Sequence, residues 1–346
     1  VACTAIGARA PRPRNANAGR DVTLWGVLAF AGTSLISTFT SLSPTASTWG
    51  LGGYYGGLML VLFTAAGYWA VRSYLDLENL DFVFWVLGIT TSIVAVLYVL
   101  NIFNIDLIGA YADTAVVERA QFFSTLGQKD FNGCFFSVAL PIVFYQFLNA
   151  KDTRTAVWTG IPAAFGALAL AVVDSEALAL GIGAAVMVLV CHKNFTTRHL
   201  RRAALISAAF FGWAAWMHYM RASVYTQGGT ALLAKLGAWQ VALPCMAASL
   251  LLWLVLFVLA RKGIAAQAPL YLPGRGITIA VLAVGALAFV LANAMPNLPL
   301  PESLHNLLVF NDDWGTYRGV AWRAAFGTWA DGSLLRKIVG IGPGMM

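Results

Sequence analysis

Charge-free apolar stretches recur along most of the chain, and short polar segments separate them. A helix needs about 20 mainly apolar residues to cross roughly 30 Å of bilayer hydrocarbon, where it satisfies its own backbone hydrogen bonds. The pattern therefore predicts an all-α fold, a polytopic integral membrane helical bundle with about nine transmembrane helices. The predicted spans cover residues 22–40, 54–71, 82–103, 132–149, 156–173, 177–191, 203–220, 237–260 and 277–295. Because the sixth stretch is short and closely follows the fifth, a tight helical hairpin is an alternative for those two.

Composition places the chain in the same class. Hydrophobic residues make up 59% of the 346 residues and charged residues 11%, and the mean hydropathy is +0.73. Soluble domains have about 45–50% apolar and about 25% charged residues, so a soluble fold is excluded. The net charge of +7 does not indicate a nucleic-acid partner, because the Lys and Arg residues form short clusters between apolar stretches. The four cysteines lack the spacing of a metal site, and we predict neither a metal nor another cofactor.

The distribution of Lys and Arg residues predicts the orientation of the chain. With residues 1–21 as a basic cytoplasmic segment, fourteen of the 22 Lys and Arg residues lie on the cytoplasmic side and eight on the other, in agreement with the positive-inside rule. Residues 22–295 then form the transmembrane domain, and residues 296–346 form an extracytoplasmic loop. Since the chain begins with Val and stops in a Gly-rich turn, we expect it to be truncated at one or both ends, this loop included.

The extracytoplasmic loop contains a helical pattern that begins near Asn311 and Asp312, either of which can cap a helix. Arg318 and Trp322 are four residues apart and therefore share a face of this helix. Three residues are predicted to contribute to an apolar stripe that makes the helix amphipathic, namely Val320, Ala324 and Phe326. Two interpretations of Arg318 remain open: its guanidinium contacts lipid headgroups at the membrane surface, or it binds a phosphate group.

Several motifs occur in the order found in one family of membrane enzymes. Arg318 is followed by Trp322 and then by a Gly-rich turn with Gly340, Gly342, Pro343 and Gly344. Two earlier segments are SPTASTWGLGGYYGGLML at 43–60 and STLGQKDFNGCFFSVALPIV at 124–143. Together they resemble the O-antigen ligase and O-antigen polymerase-like family of membrane glycosyltransferases. The resemblance extends over most of the chain.

The chain also departs from that family pattern. Many members carry a Ser-Arg pair where this sequence has Asp174, Ser175 and Glu176. Ser175 matches, but the basic residue is missing, so another cation has to replace it or the site is altered. The presumed catalytic His of the family follows the Gly-rich turn, and its counterpart is expected beyond Met346. His305 precedes the Arg318 helix, and we interpret it as a loop residue.

The resemblance implies transfer of a glycan from an undecaprenyl-pyrophosphate carrier to an acceptor hydroxyl, outside the bacterial inner membrane and without a metal. A lipid-linked glycan donor and a glycan or lipid acceptor are then the partners. Arg318 is the first candidate for binding the donor pyrophosphate, because an arginine can stabilise the charge of that leaving group. Weaker candidates, for which headgroup or loop roles are the alternative, are Arg221, Lys129 and Arg119.

A transporter of a small anion or a lipid-linked intermediate is the alternative function. Transporters place ionisable residues or broken helices near the middle of the bilayer. The predicted spans of this chain are almost free of charge, and for that reason the glycosyltransferase hypothesis is preferred.

Overall fold

The computed structural model describes residues 22–50, 56–74, 80–109, 122–173, 175–223, 236–264, 267–295, 300, 304–305, 308–312 and 314–343. The predicted cytoplasmic segment 1–21 lies outside the described residues. Helices dominate the described part of the chain. Two strands of two residues each, β1 (Phe122–Phe123) and β2 (Gly127–Gln128), pair in an antiparallel hairpin. The helices are α1 (Val22–Phe39), α2 (Pro44–Trp49), α3 (Leu58–Tyr74), α4 (Leu80–Ile102), α5 (Lys129–Asn149), α6 (Thr153–Val172), α7 (Glu176–Cys191), α8 (Thr197–Ser223), α9 (Trp239–Arg261), α10 (Tyr271–Ala294), α11 (Trp314–Ala330) and α12 (Leu334–Val339).

Each of the nine predicted spans coincides with one of these helices, with ends that differ by a few residues. Six of the helices are long and apolar enough to cross a membrane, namely α1, α4, α5, α6, α9 and α10. Helices α3 and α7 are apolar but shorter. The 27 residues of α8 include several cations near its start, such as Arg198 and Arg202. The chain thus has the helices of an all-α membrane bundle.

The fifth and sixth stretches do not form the tight helical hairpin that the sequence left open as an alternative. Helices α6 and α7 are joined by a short connection, but within the described residues α7 packs against α5 and α6 packs against α4, α5 and α8. The reason is that α6 is buried on several sides, as Ala163, Ala167 and Ala169 show. Its small residues let neighbours approach closely, and a Cβ added at Gly166 would lie 2.9 Å from Leu140.

The described chain divides into two compact units. The first unit comprises Val1–Asn79 and Val284–Met346, and the second unit comprises Leu80–Ala283. In the first unit α1 packs against α2, α3 and α12. In the second unit the core forms where α4, α5, α6, α7 and α8 meet, around fully buried side chains that include Tyr98, Phe136, Leu140, Leu178 and Met217.

Local signals explain where two of the helices begin. Asp152 precedes α6, and its Oδ1 accepts a 2.8 Å hydrogen bond from the backbone N–H of Thr155. That hydrogen bond, together with the one from the Thr155 hydroxyl, lowers the pKa of Asp152. Ser333 caps α12 in the same way by accepting from the N–H of Arg336.

Most of the surface of α9 and α10 is exposed and apolar, which suits contact with lipid.

Candidate functional site

Helix α11 carries the first candidate residue, Arg318, in the first unit. Arg318 is exposed, and Trp322, one turn later, is 52% exposed. These two residues project within about 40° of each other around the helix. The predicted shared face of Arg318 and Trp322 is thus present on a helix.

The chain before α11 covers another side of this helix. Gly319 is buried against the backbone of Asn311 and Asp312, where a Cβ would collide with the Asn311 carbonyl oxygen. The Asp312 carboxylate forms an ion pair with Arg323, and the Asp312 carbonyl accepts from the N–H of Val320 at 3.3 Å. Segment 311–312 therefore holds the Arg323 side of α11 and leaves the Arg318 side exposed.

The predicted apolar stripe of α11 does not form a single face. Val320 and Phe326 are six residues apart and project about 120° from each other, and both are exposed, at 49% and 60%. Ala324 projects close to Val320, whereas Trp322 and Trp329 project close to Arg318. The helix is hence not amphipathic in the predicted sense, because apolar side chains surround much of it.

The Gly-rich turn follows α12, and its glycines occupy backbone conformations that L residues disfavour. Gly340 has φ of 90° and Gly342 has φ of 111°. A Cβ added at Gly342 would lie 3.0 Å from the Ser47 Cβ and 3.1 Å from the Ser41 Cβ, and closer still to the Ser47 hydroxyl. The turn therefore packs on the Ser-Pro segment at the end of α1 and the start of α2. Pro343 is in this turn, and Gly344 lies outside the described residues.

A buried group of hydroxyl side chains underlies this contact. Ser47 is fully buried and donates a 3.2 Å hydrogen bond to the Thr38 hydroxyl, which in turn donates to the carbonyl of Ser34 at 2.8 Å. Ser47 was singled out only as part of segment 43–60, and Ser34 and Thr38 were not predicted. For Ser34 and Thr38, the available signal is the run of hydroxyl residues in SLISTFTSLS, where the apolar stretch ends.

In the second unit, Ser175 joins the start of α7 to segment 124–143. Ser175 is 2% exposed, and its hydroxyl donates a 3.0 Å hydrogen bond to Oδ1 of Asp130. A Cβ added at Gly133 would lie 2.6 Å from the Ser175 Cβ. The start of α7 therefore packs directly on the first turn of α5.

A polar cluster anchors the β1–β2 hairpin beside that turn. Asn132 is fully buried, and its Oδ1 accepts a 2.6 Å hydrogen bond from the Ser124 hydroxyl. The Asn132 amide group donates to the carbonyls of Gly127 and Gln128, and Asn101 Oδ1 accepts from the N–H of Ser124 at 2.7 Å. These contacts fix the loop that precedes α5.

The weaker phosphate-binding candidates belong to other parts of the chain than Arg318. Lys129 is the first residue of α5, adjacent to Asp130, and is half-buried. Arg221 belongs to the last turn of α8, and its side chain lies outside the described residues, as does all of Arg119. Glu176, at the position where the resemblance leads us to expect a basic residue, begins α7 and is exposed. Lys129 is thus the sequence neighbour of the residue that Ser175 contacts, Asp130.

At the other end of α5, arginines of α8 bind the last carbonyl groups of the helix. Arg202 donates to the carbonyls of Phe147, Leu148 and Ala150 at 2.7–3.0 Å, and Arg198 also donates to Ala150. Cations at a helix C-terminus satisfy its unpaired carbonyls and its dipole. Partial burial, followed by the charges of Arg198 and Arg201, lowers the pKa of Arg202 to about 10. The charge pattern places these arginines between two apolar stretches but does not predict their partners.

His199 lies between the two arginines and contacts the same helix end. Its Nδ1 accepts a hydrogen bond from the Thr196 hydroxyl, and the two atoms are 2.9 Å apart. Its Nε2 lies 3.2 Å from Asn149 Oδ1, an oxygen that can only accept a hydrogen bond. These partners fit the neutral ring with the proton on Nε2. Burial, and then the charges of Arg198 and Arg202, lower the pKa of His199.

Within the described part of the chain, no group of three His, Cys, Asp or Glu side chains is placed to hold a metal ion.

No family model, no curated protein and no solved structure matches this chain.

Proposed function

We propose that the protein is a membrane glycosyltransferase of the O-antigen ligase or polymerase-like kind, located in the bacterial inner membrane. It transfers a glycan from an undecaprenyl-pyrophosphate carrier to an acceptor hydroxyl on the extracytoplasmic face. The observation that supports this proposal most is the difference between two arginines of α11. Arg323 is held by Asp312, whereas Arg318 is exposed one turn from Trp322. An arginine presented in this way suits a phosphate ligand better than a purely structural role.

The proposed chemistry follows from the leaving group. The acceptor oxygen attacks the anomeric carbon, the bond from that carbon to the pyrophosphate oxygen breaks, and the acceptor proton passes to a general base. Negative charge then grows on the pyrophosphate, and a guanidinium can stabilise it through two parallel hydrogen bonds. Arg318 is assigned this role, and Arg336 and Lys337 of α12 add positive charge within the same segment of chain.

Contacts between the motif segments give further support. Gly342 of the Gly-rich turn packs on Ser41 and Ser47, the second of which belongs to segment 43–60. Ser175 packs on Asp130 and Gly133 of segment 124–143. Within each unit, two segments that are far apart in the sequence thus form a pair, as expected if they are parts of a folded site rather than unrelated loops.

We further propose that all nine apolar helices cross the membrane, with α11 and α12 on the extracytoplasmic side. Helix α8 is long enough, and its cations lie near its two ends, Arg198, Arg201 and Arg202 at the start and Arg221 in the last turn, where they can reach a membrane surface. Helices α3 and α7, with 17 and 16 residues, can span where the bilayer thins locally.

Proteoliposomes that contain the complete protein distinguish this proposal from a transporter. Supplied with a lipid-pyrophosphate glycan and an acceptor, a glycosyltransferase releases undecaprenyl pyrophosphate as the acceptor gains the glycan. A transporter instead moves the lipid-linked donor or a small anion across the bilayer and leaves the glycosidic bond intact. Transport without transfer would overturn the proposal.

A further inference from the structure

A groove in the second unit lies between α7 and the first half of α10. The two helices touch at one end, where Gly274 packs on the carbonyl of Val190 and the Cys191 thiol lies 3.4 Å from the Thr278 hydroxyl. From this crossing point the groove extends along both helices to Ala184 and Leu282. Its volume is about 660 Å³, which is enough for part of a lipid chain.

Positive charge is concentrated at one end of this groove. Lys193 and Arg275 line it there, and both are exposed. The Arg275 guanidinium is oriented by a 3.2 Å hydrogen bond from Nε to the Cys191 carbonyl and by its position over the Tyr271 ring, 5.3 Å from the centroid. Because Nε makes that bond, the two terminal nitrogens are left to bind another acceptor. The remaining lining is mainly apolar, so the groove combines a cationic end with an apolar channel.

A second groove gives an internal comparison. It has a volume of about 460 Å³ and runs along another side of α7, lined by residues of α4, α5 and α7 that include Phe84, Phe144 and Ile182. No Lys or Arg is among its lining residues. The pair of cations is thus a property of the first groove and not of every groove beside this helix.

We propose that the first groove binds an anionic phospholipid of the membrane itself. The phosphate contacts Lys193 and Arg275, and one acyl chain lies along Ala184, Val188 and Leu282. This site lies at the same end of the second unit as Arg198 and Arg202, because residues 195–197 pair with residues 268–270 there. The predicted orientation puts that end in the cytoplasm, where the leaflet is rich in anionic lipid. The proposal is independent of glycan transfer.

Lipid binding can be measured on the complete protein, purified in detergent and titrated with phosphatidylglycerol or phosphatidylcholine during native mass spectrometry. We expect phosphatidylglycerol to bind more tightly, and the double variant Lys193→Gln/Arg275→Gln to weaken its binding about tenfold. The matched control is Arg201→Gln/Arg261→Gln, which removes the same charge from two arginines that flank the Phe257 ring. The control should bind within about twofold of the unchanged protein.

A third variant tests the apolar part of the site without changing charge. Ala184 is exposed in the groove, so Ala184→Phe should fold normally and block the acyl chain. We expect it to weaken phosphatidylglycerol binding as well. Equal binding of the two lipids, equal weakening in the Arg201/Arg261 control, or unchanged binding in Ala184→Phe would each overturn the proposal.

Discussion

The buried hydroxyl of Ser175 donates a 3.0 Å hydrogen bond to Asp130, across 45 residues of sequence. It ties the start of α7 to the first turn of α5, next to Lys129 and the buried Asn132. Because Gly133 also packs on Ser175, the contact leaves little room for a larger side chain. This junction lies within the second unit.

Loss of the Ser175 hydroxyl should destabilise the protein measurably. We expect Ser175→Ala to lower the free energy of unfolding by about 1–2 kcal/mol, since the partly buried Asp130 carboxylate loses a hydrogen-bond donor. Unfolding in mixed micelles, followed by tryptophan fluorescence, measures this change. Ser92→Ala is the control, because the Ser92 hydroxyl donates to Gly88 within its own helix. Equal stability of the two variants would contradict the structural role of the Ser175–Asp130 contact.

A side chain at Gly342 should disrupt the Gly-rich turn. Its φ of 111° disfavours any L residue, and a Cβ would collide with Ser47. We expect Gly342→Ala to cost about 1–3 kcal/mol of stability.

The control for this prediction is Gly327→Ala in α11, where a Cβ meets nothing within 4 Å. That change should be neutral or stabilise the helix by up to about 1 kcal/mol. Thermal unfolding in detergent compares the two. If Gly342→Ala melts at the same temperature as Gly327→Ala, the packing of the turn on Ser47 is wrong.

The stability of the α5–α8 contact should depend on pH through His199. Burial lowers the pKa of His199 in the folded protein below its ordinary value of 6.5. The unfolded chain therefore binds the proton first as the pH falls, and stability is lost from about pH 6.5 down to the lowered pKa. Above that range the contribution of His199 is fully present.

Replacing His199 removes this titration. We expect His199→Gln to reduce the loss of stability between neutral pH and pH 5, measured as melting temperature against pH. His192→Gln, at an exposed histidine before the same helix, should retain most of the pH dependence, because the charge of His192 is the smallest of the effects that lower the pKa of His199. A His199→Gln profile that matches the unchanged protein would contradict the assignment.

The positions of the helices followed from the apolar pattern, because a long run without charges has few alternatives to a helix in lipid. The packing partners did not follow. A tight hairpin of α6 and α7 was left open as an alternative, but α6 has small apolar residues on several sides and packs with other helices instead. A hydrophobicity pattern does not determine the packing partners of a helix that has no polar face.

The candidate site was predictable only in part, for a related reason. Arg318 and Trp322 share a face because helical periodicity is local. The contacts of Ser175 with Asp130 and of Arg202 with Phe147 join residues distant in sequence, and no local pattern encodes them. The prediction of an apolar stripe on α11 is wrong because Phe326 projects far from Val320 around the helix.

The most direct test of the proposed function is the rate of glycan transfer from a lipid-pyrophosphate donor by Arg318 variants of the complete protein. We predict that Arg318→Ala lowers the transfer rate about 10²–10³-fold and that Arg318→Lys retains part of the rate. The control is Arg323→Ala, which removes the arginine paired with Asp312 and should retain most of the transfer rate. Transfer by Arg318→Ala at the unchanged rate, with normal expression, would contradict the account.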